Sequence, residues 1–329
     1  MTGGRAKWSG GCRIATLAAI LVLLVGTGAR GEDKLRVGKA IQNSFTFALL
    51  DVGIASGIFA QHNLAIEPVT FSGAAKLQQA LTSNDIDLGL STGQDLGFIA
   101  KGLPAMTVAA TSNAPVETVM LVGYDSPIKT VADLKGKKIA VSNIRGYPSW
   151  LTIELSKHEG WGPDGMTLVA TGSQPASIAV LKTKQVDAWA GDIGTSIDME
   201  EAHEGRILLN FSEYVPPFMN TALYATVALI KSRPDLVRGF VQAWFENIAW
   251  ARAHRPETVA FLEPVLNLKP ATIDRIYAQL MPTQSTDGRF DPRAMATMRR
   301  AVVDLGILDS QPDIAKLYTE EFLPKPSKP

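Results

Sequence analysis

Two stretches one hundred positions apart carry the same pattern. Ala80-Leu-Thr-Ser-Asn-Asp-Ile-Asp87 aligns without a gap on Val180-Leu-Lys-Thr-Lys-Gln-Val-Asp187. Upstream, residues 37–40 match residues 139–142 at nearly the same offset. The chain therefore reads as two similar β-α-β-α-β units in tandem. Two copies are too few for a solenoid, so each must close its own core. At 329 residues and 46% hydrophobic content, the chain can supply two such cores.

The order of elements follows from local pattern. Strands are expected over residues 35–40, 65–71, 85–90 and 106–111, all parallel in repeated β-α-β units. Helices are expected over 45–56, over 73–83 with Ser72 as cap, and from Ser91-Thr-Gly-Gln94 onward. Residues 57–64 read as a turn. Residues 117–124 form a strand that crosses into the second unit. Residues 210–228, with Pro216 and Pro217, cross back. Beyond Ser232 and Pro234 the chain turns helical, with Leu236, Val237, Phe240, Val241, Trp244 and Ile248 at helical spacing. Further helices are expected over 256–266, 271–280, 292–305 and 312–322. The domain expectation is one lobe from 32–116 with 219–329, and a second lobe from 117–218.

Residues 1–31 have the three parts of a secretory signal. Arg5, Lys7 and Arg13 precede an apolar run over 14–25, and Ala29 and Gly31 sit before a cut near Glu32. A run of roughly 12 residues is too short to span a bilayer. The single cysteine, Cys12, leaves with that segment, which removes disulfides, thiolate catalysis and cysteine metal sites from the mature chain. Lysine plus arginine and aspartate plus glutamate are equal at 32 each, and four of the bases leave with the signal. The mildly acidic remainder has no basic run and is not built for nucleic acid.

Familiar catalytic signatures are absent: there is no phosphate-binding Gly-Lys loop, no Gly-x-Ser-x-Gly elbow and no His-Glu-x-x-His pair. His62, His158, His203 and His254 lack metal spacing and read as structural or surface residues. Asp87 and Asp187 read as turn residues that satisfy backbone. No metal and no cofactor is expected.

The loops after the strands carry the functional signal, because ligands of open α/β sheets bind beyond the carboxyl ends of parallel strands. Gln42, Asn43, Ser44 and Phe45 follow the first strand. Ser91, Thr92, Gly93 and Gln94 follow the third. In the second unit come Ser142, Asn143, Arg145, Gly146, Tyr147, Ser149 and Trp150, then Gly191 and Asp192. Asn220 stands in the returning crossover. Most are polar or glycine, and helix N-termini there offer free N–H groups to a polar ligand. Phe45, Tyr147, Trp150, Trp189 and Phe218 could wall a pocket, with core packing the alternative for Trp189. Trp244, Phe245 and Trp250 read as packing. Arg145 and the helix ends suggest an anionic group on the ligand; Asp192 and Asp95 could instead face an ammonium.

Ser126-Pro-Ile-Lys-Thr-Val-Ala-Asp-Leu-Lys-Gly-Lys-Lys-Ile-Ala-Val141, Gly57-Ile-Phe-Ala-Gln-His-Asn-Leu64, Asp87 and Val186-Asp-Ala-Trp-Ala-Gly191 resemble the periplasmic solute-binding proteins of ABC importers. Within these, the resemblance is to the nitrate/sulfonate/taurine-binding branch, which includes pyrimidine-precursor binders. It covers about residues 35–255. It implies a bilobed α/β periplasmic-binding-protein fold of type II, two βαβ lobes joined by two crossovers, with a helical C-terminal region. It also implies a non-enzymatic, monomeric receptor in the periplasm that delivers a small polar solute to a membrane permease with its ATPase. Carried onto this chain, the ligand site falls at residues 91–94 and 142–149. The family often shows Gly-Ser/Thr-x-x-His in the latter loop; here Gly146-Tyr-Pro-Ser-Trp150 replaces the small hydroxyl by Tyr147. The alternatives are an enzyme resembling those of pyrimidine synthesis, or a ligand sensor on the same fold. The mature chain lacks the cysteines used by the fungal pyrimidine-synthesising enzymes.

Overall fold

A computed structural model describes residues 1–6, 32–42 and 44–325 of the chain. The expected apolar signal and Asn43 lie outside the described residues. The folded unit begins at residue 32, and its first half alternates strand and helix. In order come β1 (Asp33–Lys39), α1 (Phe45–Ala55), α2 (Ile58–Gln61), β2 (Leu64–Thr70), α3 (Ala74–Ser83), β3 (Leu88–Thr92), α4 (Leu96–Ala100) and β4 (Ala105–Ser112). The second half repeats the pattern: β5 (Thr118–Gly123), β6 (Lys138–Val141), α5 (Tyr147–His158), β7 (Thr167–Ala170), α6 (Gln174–Lys182), β8 (Ala188–Asp192), α7 (Ile193–Glu201) and β9 (Gly205–Asn210). After β10 (Thr221–Thr226) the chain is helical: α8 (Val227–Ser232), α9 (Pro234–Ala253), α10 (Arg255–Leu266), α11 (Pro270–Leu280) and α12 (Pro292–Asp304).

The strands form two five-stranded sheets, ordered β2-β1-β3-β10-β4 and β7-β6-β8-β5-β9. Position by position the two orders correspond. The fourth place in each sheet is filled by a strand arriving from the other: β5 enters after β4, and β10 returns after β9. The four strands expected in the first unit, β1 to β4, run in one direction, as expected, and only the crossover strands oppose their neighbours. β10 runs antiparallel to β3 and β4, and β5 antiparallel to β8 and β9. A strand that crosses directly from one sheet to the next enters without a packing helix to reverse it, so it is free to run against its neighbours.

Three local expectations are corrected. Residues 57–64 are not a plain turn but contain α2, started by Gly57 at φ 76°. Gly73, not Ser72, stands at the N-cap of α3, and its N–H donates to the Ala40 carbonyl at 2.8 Å. The expected helix over 312–322 is only a 3-10 turn at Ile314–Lys316. Beyond it the chain pairs with the exposed edge of β4: Thr107 N donates to the Leu317 carbonyl and Thr319 N to the Thr107 carbonyl, at 3.1 and 2.9 Å. Covering an unpaired edge satisfies backbone that a helix would leave open.

The C-terminal helices fasten the structure. Phe59 of α2 stacks on Phe240 of α9 at 5.3 Å, and Trp244 is fully buried beside it. Asn247 of α9 donates to the Leu49 carbonyl of α1 at 2.7 Å. On the other side, Arg275 of α11 pairs with Glu200 of α7 at 2.8 Å, and Thr272 donates to Asp198. The C-terminal region thus packs on helices that follow strands of both sheets. Among the described residues no helix is long and apolar enough to cross a membrane.

Candidate functional site

The carboxyl ends of β3 and β8, the start of α1 and the crossovers meet around a cavity of about 220 Å³. From the first sheet and its loops come Ile41, Ser44, Thr92, Asn220 and Thr221. From the second come Ser142, Tyr147, Gln174, Trp189, Gly191 and Asp192. Glu117 and Thr118 enter from the crossover. A smaller recess of about 50 Å³ shares Glu117 and Asp192 and adds Phe45, Thr195 and Leu268.

Glu117 organises one wall. Ser44 caps α1 by accepting from Phe47 N, and its hydroxyl donates to Glu117 Oε2 at 3.0 Å. Glu117 Oε1 accepts from Thr46 N at 3.2 Å and from the Thr46 hydroxyl. The N-terminus of α1, a place where a bound anion would be stabilised, is therefore held by the protein's own carboxylate. Burial pushes the Glu117 carboxyl up from its ordinary value, against these hydrogen bonds, and nearby Asp192 pushes it the same way.

Asp192 plays the matching part on the second sheet. It caps α7, with Oδ1 accepting from Thr195 N at 2.9 Å. Oδ2 is buried and meets no donor in hydrogen-bonding geometry; the Gln174 amide, which donates to Thr195 Oγ1, lies near enough to oppose the effect of burial on this carboxyl. Burial raises this carboxyl too. Across the cavity, the Tyr147 hydroxyl is buried and likewise without a partner. Burial first, and then the Glu117 charge, hold it well above the ordinary phenol value.

The apolar walls depend on close backbone approach. The Tyr147 ring stacks on Phe218 at 5.2 Å, and Trp150 leans on the same ring at 4.8 Å. Trp189 lies flat against its own strand, so a Cβ added at Gly191 would fall 1.9 Å from its ring. At Gly93 a Cβ would fall 1.9 Å from the Met219 carbonyl oxygen, and Gly93 N donates to the Asn220 carbonyl at 3.0 Å. Glycine at these two positions lets β10 and Trp189 approach the strand tips.

Of the candidate residues, the cavity gathers Ser44, Thr92, Ser142, Tyr147, Trp189, Gly191, Asp192 and Asn220. Phe45 lines the smaller recess instead. Gly93 shapes the wall through its backbone. Ser91 is buried, and Gln94 has a buried amide nitrogen without a partner; neither lines the cavity. Gln42 is exposed and turns to the Val265 carbonyl. Asn143, Gly146 and Ser149 build the loop itself: Asn143 Oδ1 accepts from Arg145 N, and its carbonyl accepts from Gly146 N and Ser149 Oγ. Trp150 is buried behind Phe218. Arg145 faces a separate recess with Ile144, Lys157 and Asp304. Asp95 also lies away from the cavity, accepting from Gln78 at 2.8 Å. Glu117, Thr118 and Gln174 were not among the candidates. A lone acid between Val116, Thr118 and Val119 was the available signal for Glu117. Among the described residues, no cluster of His, Cys, Asp and Glu could hold a metal.

The model of the family described as NMT1/THI5 like matches residues 44–258. The chain belongs to the NMT1/THI5-like family. Relatives of this NMT1/THI5-like chain include a Bacillus subtilis (strain 168) protein named for aliphatic sulfonate binding, 22% identical over 283 residues and 82% of each chain. An Escherichia coli (strain K12) protein named for the same binding is 42% identical over 125 residues, 37% of this chain and 38% of that one. The fold is similar to that of the periplasmic aliphatic sulphonate binding protein from Escherichia coli, with a TM-score of 0.75 at 20% identity over 87% of this chain and 92% of that one. It is also similar to a desulfurization enzyme, with a TM-score of 0.63 at 19% identity over 88% and 97% of the two chains.

Proposed function

We propose that this chain is the periplasmic solute-binding component of an ABC importer, capturing a small polar organic solute of the sulfonate/taurine class. The observation that carries this reading is the cavity between the strand tips of two matching sheets, walled by Tyr147, Trp189, Ser44 and Asn220. Its size suits a ligand of roughly ten heavy atoms or fewer, below the range of drug-sized sites. The names of the family relatives support the class of solute. On this reading, residues 32–116 with 219–329 form one lobe and 117–218 the other. Ligand closes them about the crossovers near Glu117 and Asn220, and a permease with its ATPase recognises the closed monomer. The segment 1–31 directs export and is cleaved. On this reading the site binds and releases its ligand unchanged.

Thermal denaturation of the purified protein with sulfonates, taurine, nitrate, pyrimidines and amino acids tests the reading. A true ligand at 100 times its Kd stabilises the fold by about 2.7 kcal/mol. A panel that leaves Tm unmoved, or a sulfonate that is consumed on incubation, would refute it.

A further inference from the structure

Two of the helix N-termini at this cavity, those at its inner end, are already filled by carboxylates, whereas the start of α5, where Tyr147 and Pro148 line the wall, has no side-chain cap. Glu117 occupies the start of α1, and Asp192 the start of α7. The two border the same pair of cavities. Among the described residues, no lysine, arginine or histidine lines either cavity, and Arg145 opens onto a different recess. Asp192 Oδ2 is buried and unpartnered at the wall, and across the cavity the Tyr147 hydroxyl is unpartnered too. Buried acceptors without donors are rare in folded proteins, and a ligand is one means of satisfying them. A sulfonate placed at this end would meet two like charges in a poorly solvated space. A nitrogen bearing N–H groups would meet two acceptors.

We propose that Glu117 and Asp192 together read a protonated amine or amidinium on the solute, so that the cleft selects an amino-bearing ligand over its hydroxyl or alkyl counterpart. This rests on the solute-capture reading and specifies which end of the solute enters deepest. The ammonium lies between Glu117 and Asp192 Oδ2. The rest of the solute lies along Trp189 and Tyr147, where the tyrosine hydroxyl donates to an oxygen of the ligand. Any anionic group of a zwitterion stays at the outer end, away from both acids.

Isothermal titration with matched probes tests this. The probes are 2-aminoethanesulfonate, 2-hydroxyethanesulfonate, ethanesulfonate and benzamidine. The amino compound is expected to bind at least about tenfold more tightly than the hydroxyl compound, since a charge-assisted hydrogen bond is replaced by a neutral one. Glu117→Gln and Asp192→Asn should each shrink that ratio severalfold. Should either variant fail to fold, the wild-type protein gives a second readout. Titration across mildly acidic pH in two buffers of different ionisation enthalpy should show proton release on binding of the ammonium, since burial raises both carboxyls. Equal affinity for the amino and hydroxyl sulfonates overturns the inference and leaves solute capture standing. Binding of benzamidine with no sulfonate bound upholds the inference and removes the sulfonate class. No binding by either amino compound overturns it.

Discussion

Asp87 Oδ2 accepts from Arg36 N at 2.9 Å, and Asp187 Oδ2 accepts from Lys138 N at 2.8 Å. The backbone returns the bond at each place: Asp87 N donates to the Arg36 carbonyl, and Asp187 N to the Lys138 carbonyl, both at 2.8 Å. The same clamp therefore ties β1 to the turn before β3 in one sheet and β6 to the turn before β8 in the other. Before each clamp the chain turns through a left-handed residue, Asn84 at φ 59° and Lys184 at φ 58°. Asp87 does more than its counterpart, because it also takes the Arg36 guanidinium in a two-point bond.

Replacing either aspartate by alanine strands a strand N–H. Asp187→Ala should cost about 1–2 kcal/mol, and Asp87→Ala more, about 2–3 kcal/mol, because the Arg36 fork is lost as well. The two lie in separate sheets, so the double variant should show nearly the sum. Urea denaturation of the three variants measures this.

Gly191→Ala should disturb the site more than the fold around it. The new methyl would fall 1.9 Å from the Trp189 ring, and the cavity that this ring lines offers it space to move into. Ligand affinity should fall tenfold or more, by about 1.4 kcal/mol, with a matching change in tryptophan fluorescence. Gly93→Ala meets backbone at the Met219 carbonyl and cannot be relieved by a side chain. It should cost about 3 kcal/mol or more in stability.

Tyr147→Phe separates stability from binding. The hydroxyl is buried without a partner, so removing it should leave stability unchanged or raise it by about 1 kcal/mol. The ligand loses a hydrogen bond, and its Kd should rise about fivefold to tenfold. A Tm that holds while affinity drops is the expected pair of results.

Asp95 gives a pH dependence that is independent of ligand. It is 2% exposed, and burial pushes its carboxyl from 3.8 up to about 6, opposed by the nearby Ser91 hydroxyl and by the hydrogen bond from Gln78. The native state then binds a proton that the unfolded chain has lost. Its favourable contribution is present below about pH 4 and is lost as pH rises to about 6. The whole shift corresponds to roughly 3 kcal/mol. Asp95→Asn should flatten this part of the stability profile and raise stability at neutral pH by about 1–3 kcal/mol. Chemical denaturation of both proteins from acid to neutral pH checks the sign.

Much of this architecture is legible in the chain, for physical reasons that can be named. The repeat at Asp87 and Asp187 shows because a turn that must satisfy a strand N–H tolerates few residues. The long helix α9 shows through its Leu236–Phe240–Trp244 spacing. The direction of β5 and β10 does not show, because alternation reads the same both ways along a strand. Residues 312–322 pattern as helix, yet the unpaired edge of β4 outweighs that local preference. At the site, Ser44, Tyr147 and Asp192 are visible as polar residues at strand ends. Glu117 is not, since its position between two sheets arises only when β5 crosses. Arg145 draws attention as the one cation of its loop, but the Asn143 turn aims it elsewhere.

Hydrogen–deuterium exchange with and without a bound solute tests the central claim, that one cleft at the tips of both sheets holds the ligand. Protection is expected together in residues 44–47, 117–119, 142–150, 189–195 and 218–221, drawn from both sheets and the crossovers. Protection confined instead to the recess at the opposite end of the second sheet, where Tyr124 and His203 pack at 5.0 Å, would contradict it.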